Sequence, residues 1–114
     1  MLPSLYHLPT GYRGDSYGPV IFRFFDGSGG AVMLDGVSGS LEVKGQVGIC
    51  TNTVMDWYTE DGSMFISGNE VRLNRKTKDQ MTVLADTYVY DLQLSSGDVG
   101  RTYLKGTFPI IDDV

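Results

Sequence analysis

The side chains that most often carry out catalysis are scarce in this sequence. It contains one histidine, His7, and one cysteine, Cys50. Because His7 lies in a proline-rich stretch away from the predicted strands, no Ser-His-Asp or Cys-His arrangement can be built around it. A single cysteine also excludes an internal disulfide and a cysteine-based zinc cluster. We therefore interpret His7 as a surface residue and Cys50 as a semi-buried free thiol.

Acidic pairs and a glycine-rich segment suggest two further kinds of chemistry. Glu60-Asp61 and Asp112-Asp113 are paired carboxylates, which can hydrolyse glycosides or bind calcium. The first pair lies in a predicted turn and the second at the end of the sequence, so both are interpreted as solvated. Residues 26–30 are glycine-rich but lack the Lys-Ser/Thr and the helix of a nucleotide site. These patterns predict a protein that is not an enzyme and uses no cofactor or metal.

The charge and the apolar content of the chain argue against two classes of partner, nucleic acids and membranes. The chain has 114 residues, with 9 Lys and Arg against 14 Asp and Glu, which gives a formal net charge of −5. An acidic chain opposes nucleic-acid binding, which requires a basic face to neutralise phosphates. No apolar run approaches the roughly 20 residues that span a bilayer. We therefore expect no nucleic-acid partner and no membrane contact.

Short apolar runs separated by glycine-containing turns predict an all-β domain. The predicted strands cover residues 20–25, 31–34, 41–44, 53–58, 64–67, 70–74, 87–95 and 101–109. Thr77 and Gln80 fit a capping box and predict one short helix near residues 78–84. The alternation of the strands predicts a core that contains Phe22, Leu41, Val43, Trp57, Val71, Leu73, Tyr90, Leu92 and Leu104.

The number and spacing of these strands favour an immunoglobulin-like β-sandwich over residues 19–114. The segment from Asp86 to Leu92 is similar to a tyrosine corner, in which the Tyr90 hydroxyl would anchor the turn that enters a strand. Trp57 is expected to pack across the core, as a tryptophan does in immunoglobulin domains.

Residues 1–18 are predicted to form an extended N-terminal arm outside the sandwich. Prolines and glycines oppose regular structure in this stretch, yet it also carries large apolar side chains. One interpretation is a disordered tail. The other, which we favour, is an arm that makes most of its contacts with another chain, with Tyr6 and Tyr12 as its anchors. The predicted protein-interaction residues are Leu5, Tyr6, Leu8, Tyr12 and Tyr17.

Two stretches of the sequence resemble small structural proteins of tailed bacteriophages. Near the end, the chain reads YVYDLQL over residues 88–94, then Gly97, then RTYLKGTF over residues 101–108. Earlier, it reads FRFFDG over residues 22–27, followed by a short predicted strand and Glu42-Val43-Lys44. Together these pieces are similar to the immunoglobulin-like N-terminal domain of phage baseplate upper proteins. The resemblance covers roughly residues 20–110, and it does not extend to the arm or to the final PIIDDV.

This resemblance implies a non-enzymatic virion structural protein in the tail, baseplate or fibre-attachment region. Its partners would be other virion proteins, either symmetric copies of itself or a tail, fibre or capsid protein, and its localisation would be the virion. Two alternatives remain open: a capsid decoration protein, and a carbohydrate-binding β-sandwich that recognises host glycans. The second would display an aromatic platform, for which Trp57 and Tyr58 are the candidates.

Overall fold

The computed structural model describes residues 4–34, 36–45, 53–84, 86–96 and 99–112. These residues form strands and one short 3₁₀ helix, which confirms the all-β prediction. In chain order the elements are β1 (Ser4–Leu5), β2 (Gly11–Arg13), β3 (Val20–Arg23), β4 (Ser38–Gly45), β5 (Thr53–Tyr58), β6 (Met64–Ser67), β7 (Glu70–Leu73), the helix (Lys78–Gln80), β8 (Asp86–Ser96) and β9 (Val99–Asp112).

The larger sheet has the strand order β1-β9-β8-β4-β5, and β2 pairs with β9 beside β1. Strands β8 and β9 form a long antiparallel hairpin, and β4 pairs antiparallel with both β8 and β5. Leu92 lies in register with Leu41 on one side and with Leu104 on the other. Because alternate residues of a strand share a face, this register aligns the apolar side chains of three strands on one side of the sheet.

The smaller sheet has the order β3-β7-β6 and is antiparallel throughout. Phe22 on β3 lies opposite Val71 on β7, and both side chains are buried. Gly68, in the turn between β6 and β7, has a φ of 59°, a left-handed conformation that glycine adopts at little cost.

Both sheets contribute to one hydrophobic core. The smaller sheet supplies Phe22, Met64, Val71 and Leu73, and the larger sheet supplies residues of β4, β5, β8 and β9. Trp57 is completely buried, and its indole N–H donates to the Asn74 carbonyl at 2.9 Å. Eight of the nine predicted core residues are buried, and the ninth, Leu104, is partly buried against the same cluster. The face of each sheet that turns away from this core is its outer face.

Over the described residues 4–18, the N-terminal segment packs on its own chain instead of extending away from it, and its predicted contacts with another chain stay a prediction. Strands β1 and β2 run parallel to β9 along its edge. Leu8 and Tyr17 are buried in the core, and the Tyr17 hydroxyl donates to the Pro9 carbonyl at 2.8 Å. Pro9 does not prevent this, because it lies between β1 and β2, where no ladder hydrogen bond is needed.

Three local predictions also need correction. The helix is a single turn, because the chain leaves it at Met81, whose carbonyl accepts from the Gly14 N–H at 2.8 Å. Residues 31–34 form no strand, and only an isolated bridge joins Ala31 to Phe25. The corner hydrogen bond belongs to Tyr88, whose hydroxyl donates to the Leu84 carbonyl at 2.6 Å.

Candidate interaction surfaces

The close approach of the Tyr6 backbone to β9 positions the N-terminal segment. The Tyr6 carbonyl oxygen lies where a Cβ would stand on Gly106, and it accepts a hydrogen bond from the Tyr90 hydroxyl. The Tyr6 N–H donates to the Lys105 carbonyl at 2.9 Å. Only glycine leaves this space, so Gly106 permits the first strand to reach the edge of β9.

The His7 side chain takes the place of a backbone carbonyl as a hydrogen-bond acceptor between the N-terminal segment and β9. Its Nδ1 accepts from the Thr107 N–H at 3.2 Å and lies 2.8 Å from the Thr107 hydroxyl oxygen. The neutral ring therefore carries its proton on Nε2, since an Nδ1 that accepts from an N–H holds none. The predicted surface position of His7 is confirmed, because the side chain is exposed.

An open groove of about 330 Å³ lies beside His7 on the outer face of the larger sheet. Val89 and Gly106 are among the residues that line it, together with the charged side chains of Glu42, Lys44, Asp91 and Lys105. The groove thus combines an apolar surface with two carboxylates and two ammonium groups.

Three carboxylates stand side by side on this outer face. Glu42 is in register with Asp56 on β5 and with Asp91 on β8. The Tyr58 hydroxyl donates to Glu42 at 2.6 Å, and this hydrogen bond raises the pKa of Tyr58 to about 12. Lys44 lies 3.6 Å from Glu42. Like charges directly opposite each other destabilise a sheet, and here Lys44 beside Glu42 and Lys105 opposite Asp91 offset that repulsion.

The outer face of the smaller sheet carries exposed apolar side chains, the Arg23–Glu70 ion pair and Arg72. Ile21 on β3 and Phe65 on β6 are both in register with Arg72 on β7. Phe25 follows two residues after the end of β3 and pairs with Ala31, and Met33 lies beside the turn at Gly68. The exposed fractions are 41% for Ile21, 59% for Phe25, 61% for Phe65 and 62% for Met33.

The outer edge of β5 is closed by side chains. Lys76 donates to the Asp56 carbonyl at 2.6 Å, and the Tyr58 N–H donates to the Ser63 hydroxyl at 2.8 Å. These contacts occupy backbone groups that an added strand would need. The sheet faces are therefore better candidates for binding than this edge.

The predicted interaction residues differ in their exposure to solvent. Tyr6 and Tyr12 are each 45% exposed and stay candidates for contact with a partner. Leu8 and Tyr17 are buried at 3% and 7% exposure, so they stabilise the chain itself. Leu5 belongs to β1, but the structure does not describe its side chain. Cys50, Gly97 and Asp113 lie outside the described residues.

The sequence reasoning did not single out Phe65, Arg72 or Val89, which contribute to these surfaces. The alternation of the strands did indicate that two of these side chains point outward. Phe65 follows the buried Met64 on β6, and Arg72 lies between the buried Val71 and Leu73 on β7. The sequence alone could not show that β6 and β7 lie together and align these two side chains.

The predicted aromatic platform for glycans is wrong. Trp57 has no exposed surface, because it packs in the core with Tyr17 and carries Lys76 over its ring at 4.8 Å. Tyr58 is partly buried and is bound to Glu42.

Among the described residues, no three His, Cys, Asp or Glu side chains converge as metal ligands, and no helix is long and apolar enough to cross a membrane. No protein-family model matches the chain. No curated protein matches its sequence either.

Proposed function

We propose that this chain is a non-enzymatic structural protein of a tailed-bacteriophage virion, in the tail, baseplate or fibre-attachment region. It acts as an immunoglobulin-like β-sandwich that assembles through protein–protein contacts. The sequence resemblance described above suggests the virion, and the all-β scaffold with a shared core suits a rigid assembly module.

The observation that carries the proposal is the group of exposed apolar side chains on the outer face of the smaller sheet. Ile21 and Phe65 share this face, with Arg72 on β7 between them and the Arg23–Glu70 ion pair beside them, and Phe25 is exposed just beyond the end of β3. Exposed apolar side chains grouped on one rigid face mark a surface for another macromolecule, because a free monomer rarely keeps such groups together. A catalytic role has no comparable support from the described residues.

The immunoglobulin-like part of the proposal rests on two contacts. Trp57 fills the core between the sheets, and Tyr88 makes a hydrogen bond to the backbone four residues upstream. Both are features of that class of sandwich.

A nonsense mutation in the gene tests the function. We expect lysates of the mutant phage to contain particles that lack a tail, baseplate or fibre structure in electron micrographs. Supplying the wild-type chain in trans should restore the structure. Complete, infectious particles without the chain would contradict the proposal, and intact tails on fragile capsids would favour a capsid decoration protein instead.

A further inference from the structure

Strand β6 forms one edge of the smaller sheet, because β7 is its only strand partner among the described residues. The Asn74 N–H donates to the Ser63 carbonyl at 2.9 Å, so these two residues are a hydrogen-bonded pair just outside the strands. Hydrogen-bonded pairs alternate along an antiparallel ladder, which makes Phe65 and Arg72 the next one. The N–H and C=O groups of Met64 and of the residue at position 66 therefore point away from β7.

These four backbone groups are unpaired. Within the part of the chain that the structure describes, the N–H and C=O groups of Met64 and Ile66 make no other hydrogen bond. The Leu34 N–H donates to the Gly68 carbonyl at 2.8 Å, beyond the end of the strand. A row of unpaired N–H and C=O groups at a sheet edge is a template for another strand.

The composition of β6 also leaves this edge unprotected. Its sequence, MFIS, contains no charged residue and no proline, which are the usual means of blocking an edge. By contrast, Lys76 and Ser63 occupy backbone groups of β5. Strand β3, at the other edge of the smaller sheet, carries the charged Arg23, and the Tyr6 ring packs on Phe22 with its centroid 5.7 Å away.

We propose that β6 pairs antiparallel with β6 of a second copy, around a two-fold axis at Phe65. In this register Phe65 faces Phe65 of the second copy, and Met64 faces its Ile66. The four outward groups of each β6 then form four hydrogen bonds between the copies. A shift of one residue would place core-facing side chains opposite exposed ones. A shift of two would place Met64 or Ile66 opposite a residue of the adjoining turn.

The side chains favour a second copy as the occupant of this edge. On the outer face, the two Phe65 rings meet at a non-hydrogen-bonded position, where cross-strand side chains are closest. On the core side, the apolar Met64 of one copy meets the apolar Ile66 of the other. Arg72 lies beside Phe65 on β7, so two strands separate it from Arg72 of the second copy. At the usual strand spacing this is about 14 Å, which exceeds the Debye length at physiological ionic strength.

This pairing joins the two smaller sheets into one sheet of six strands. The contact is isologous and ends at a dimer, because each copy uses its β6 edge once. Four residues from each copy make a small interface, and each chain carries a formal charge of −5, so free copies stay monomeric when dilute. The inference rests on the proposed function only for the place where pairing is used, which is a particle that holds copies side by side.

Disulfide trapping tests the register. In a Cys50→Ser background, Phe65→Cys would place two thiols across the two-fold axis with Cα atoms about 4.5 Å apart, a separation that a disulfide spans. Ser67→Cys is the matched control, because Ser67 is exposed on the same strand but faces Ser63 of the second copy. In a glutathione redox buffer, we expect Phe65→Cys to form disulfide dimers at least about tenfold faster than Ser67→Cys. Equal rates would overturn the proposal.

Sedimentation equilibrium at concentrations up to millimolar tests the pairing with the ring in place. The wild type should form dimers and nothing larger. Phe65→Asp places two carboxylates opposite each other and should weaken the dimer at least about tenfold. Phe25→Asp is the matched control, because Phe25 is 59% exposed, close to the 61% of Phe65, and lies outside β6. It should dimerise as the wild type does.

Circular dichroism and thermal melting verify that each variant is folded. A wild type that stays monomeric, a dimer that persists in Phe65→Asp, or an equal loss in Phe25→Asp would overturn the proposal. The presence of the chain in virions is measured separately, so failure of the pairing is distinct from failure of the proposed function.

Discussion

Gly106 leaves the space in which the Tyr6 carbonyl oxygen lies, which lets the N-terminal segment approach β9 closely. Tyr90 completes the arrangement from β8 by donating its hydroxyl hydrogen to the same oxygen. Loss of either partner would leave a polar group partly buried without its hydrogen bond, which typically costs about 1–3 kcal/mol.

Gly106→Ala should lower the free energy of unfolding by about 2 kcal/mol or more, because the added Cβ must displace the Tyr6 backbone. Urea denaturation followed by Trp57 fluorescence measures the change. Gly27→Ala is the matched control, since a Cβ there meets no atom within 4 Å. Equal stability of the two variants would show that Tyr6 does not occupy this space.

Alkaline pH should destabilise the fold through two tyrosines. Burial raises the pKa of Tyr17 and of Tyr90 above the ordinary value, with a smaller contribution from the neighbouring Tyr6. Below about pH 10 both residues are protonated in the folded and unfolded chains. As the pH rises further, the unfolded chain loses these protons first, so the stability that they contribute is lost.

Urea denaturation at a series of alkaline pH values, with tyrosinate absorbance as a second signal, tests this expectation. The free energy of unfolding should fall with rising pH, and Tyr90→Phe should make the fall less steep. An identical pH dependence in the wild type and in Tyr90→Phe would refute it.

At the scale of elements, the N-terminal strands belong to the fold. Strands β1 and β2 occupy the edge of β9, and the segment buries Leu8 and Tyr17. Deleting residues 1–18 should therefore lower the melting temperature strongly, because each buried side chain contributes roughly 1.5–3 kcal/mol and the deletion exposes a long strand edge. Differential scanning calorimetry measures the effect. Tyr12→Ala, at an exposed position, should leave the melting temperature almost unchanged, and unaltered melting of the deletion variant would contradict this account.

Most strands could be predicted from the sequence because their alternation is regular. In β8, for example, Tyr88, Tyr90, Leu92 and Leu94 are buried and the intervening residues are not. The position of residues 4–13 could not be predicted, since their pairing depends on a gap at Gly106, about a hundred residues away. The same holds for the groove, whose lining comes from β4, β8, β9 and the segment around His7. Local patterns identify elements, whereas contacts between distant segments decide which side chains meet.

At the scale of the whole molecule, the two outer faces differ in chemistry. One carries exposed apolar side chains beside Arg72 and the Arg23–Glu70 ion pair, and the other carries the row formed by Asp56, Glu42 and Asp91. This asymmetry suits a protein that touches different neighbours through its two faces. It agrees with a place in a larger assembly, which is the central claim of the proposed function.

Quantitative mass spectrometry of purified virions tests that claim most directly. Under the proposed function, virions of the source phage would be purified through a density gradient and washed in high salt, and the amount of this chain would be measured relative to that of the major capsid protein. We expect the chain at a fixed number of copies per particle that does not change with the wash. Absence of the chain, or trace amounts that the wash removes, would contradict its role as a structural component.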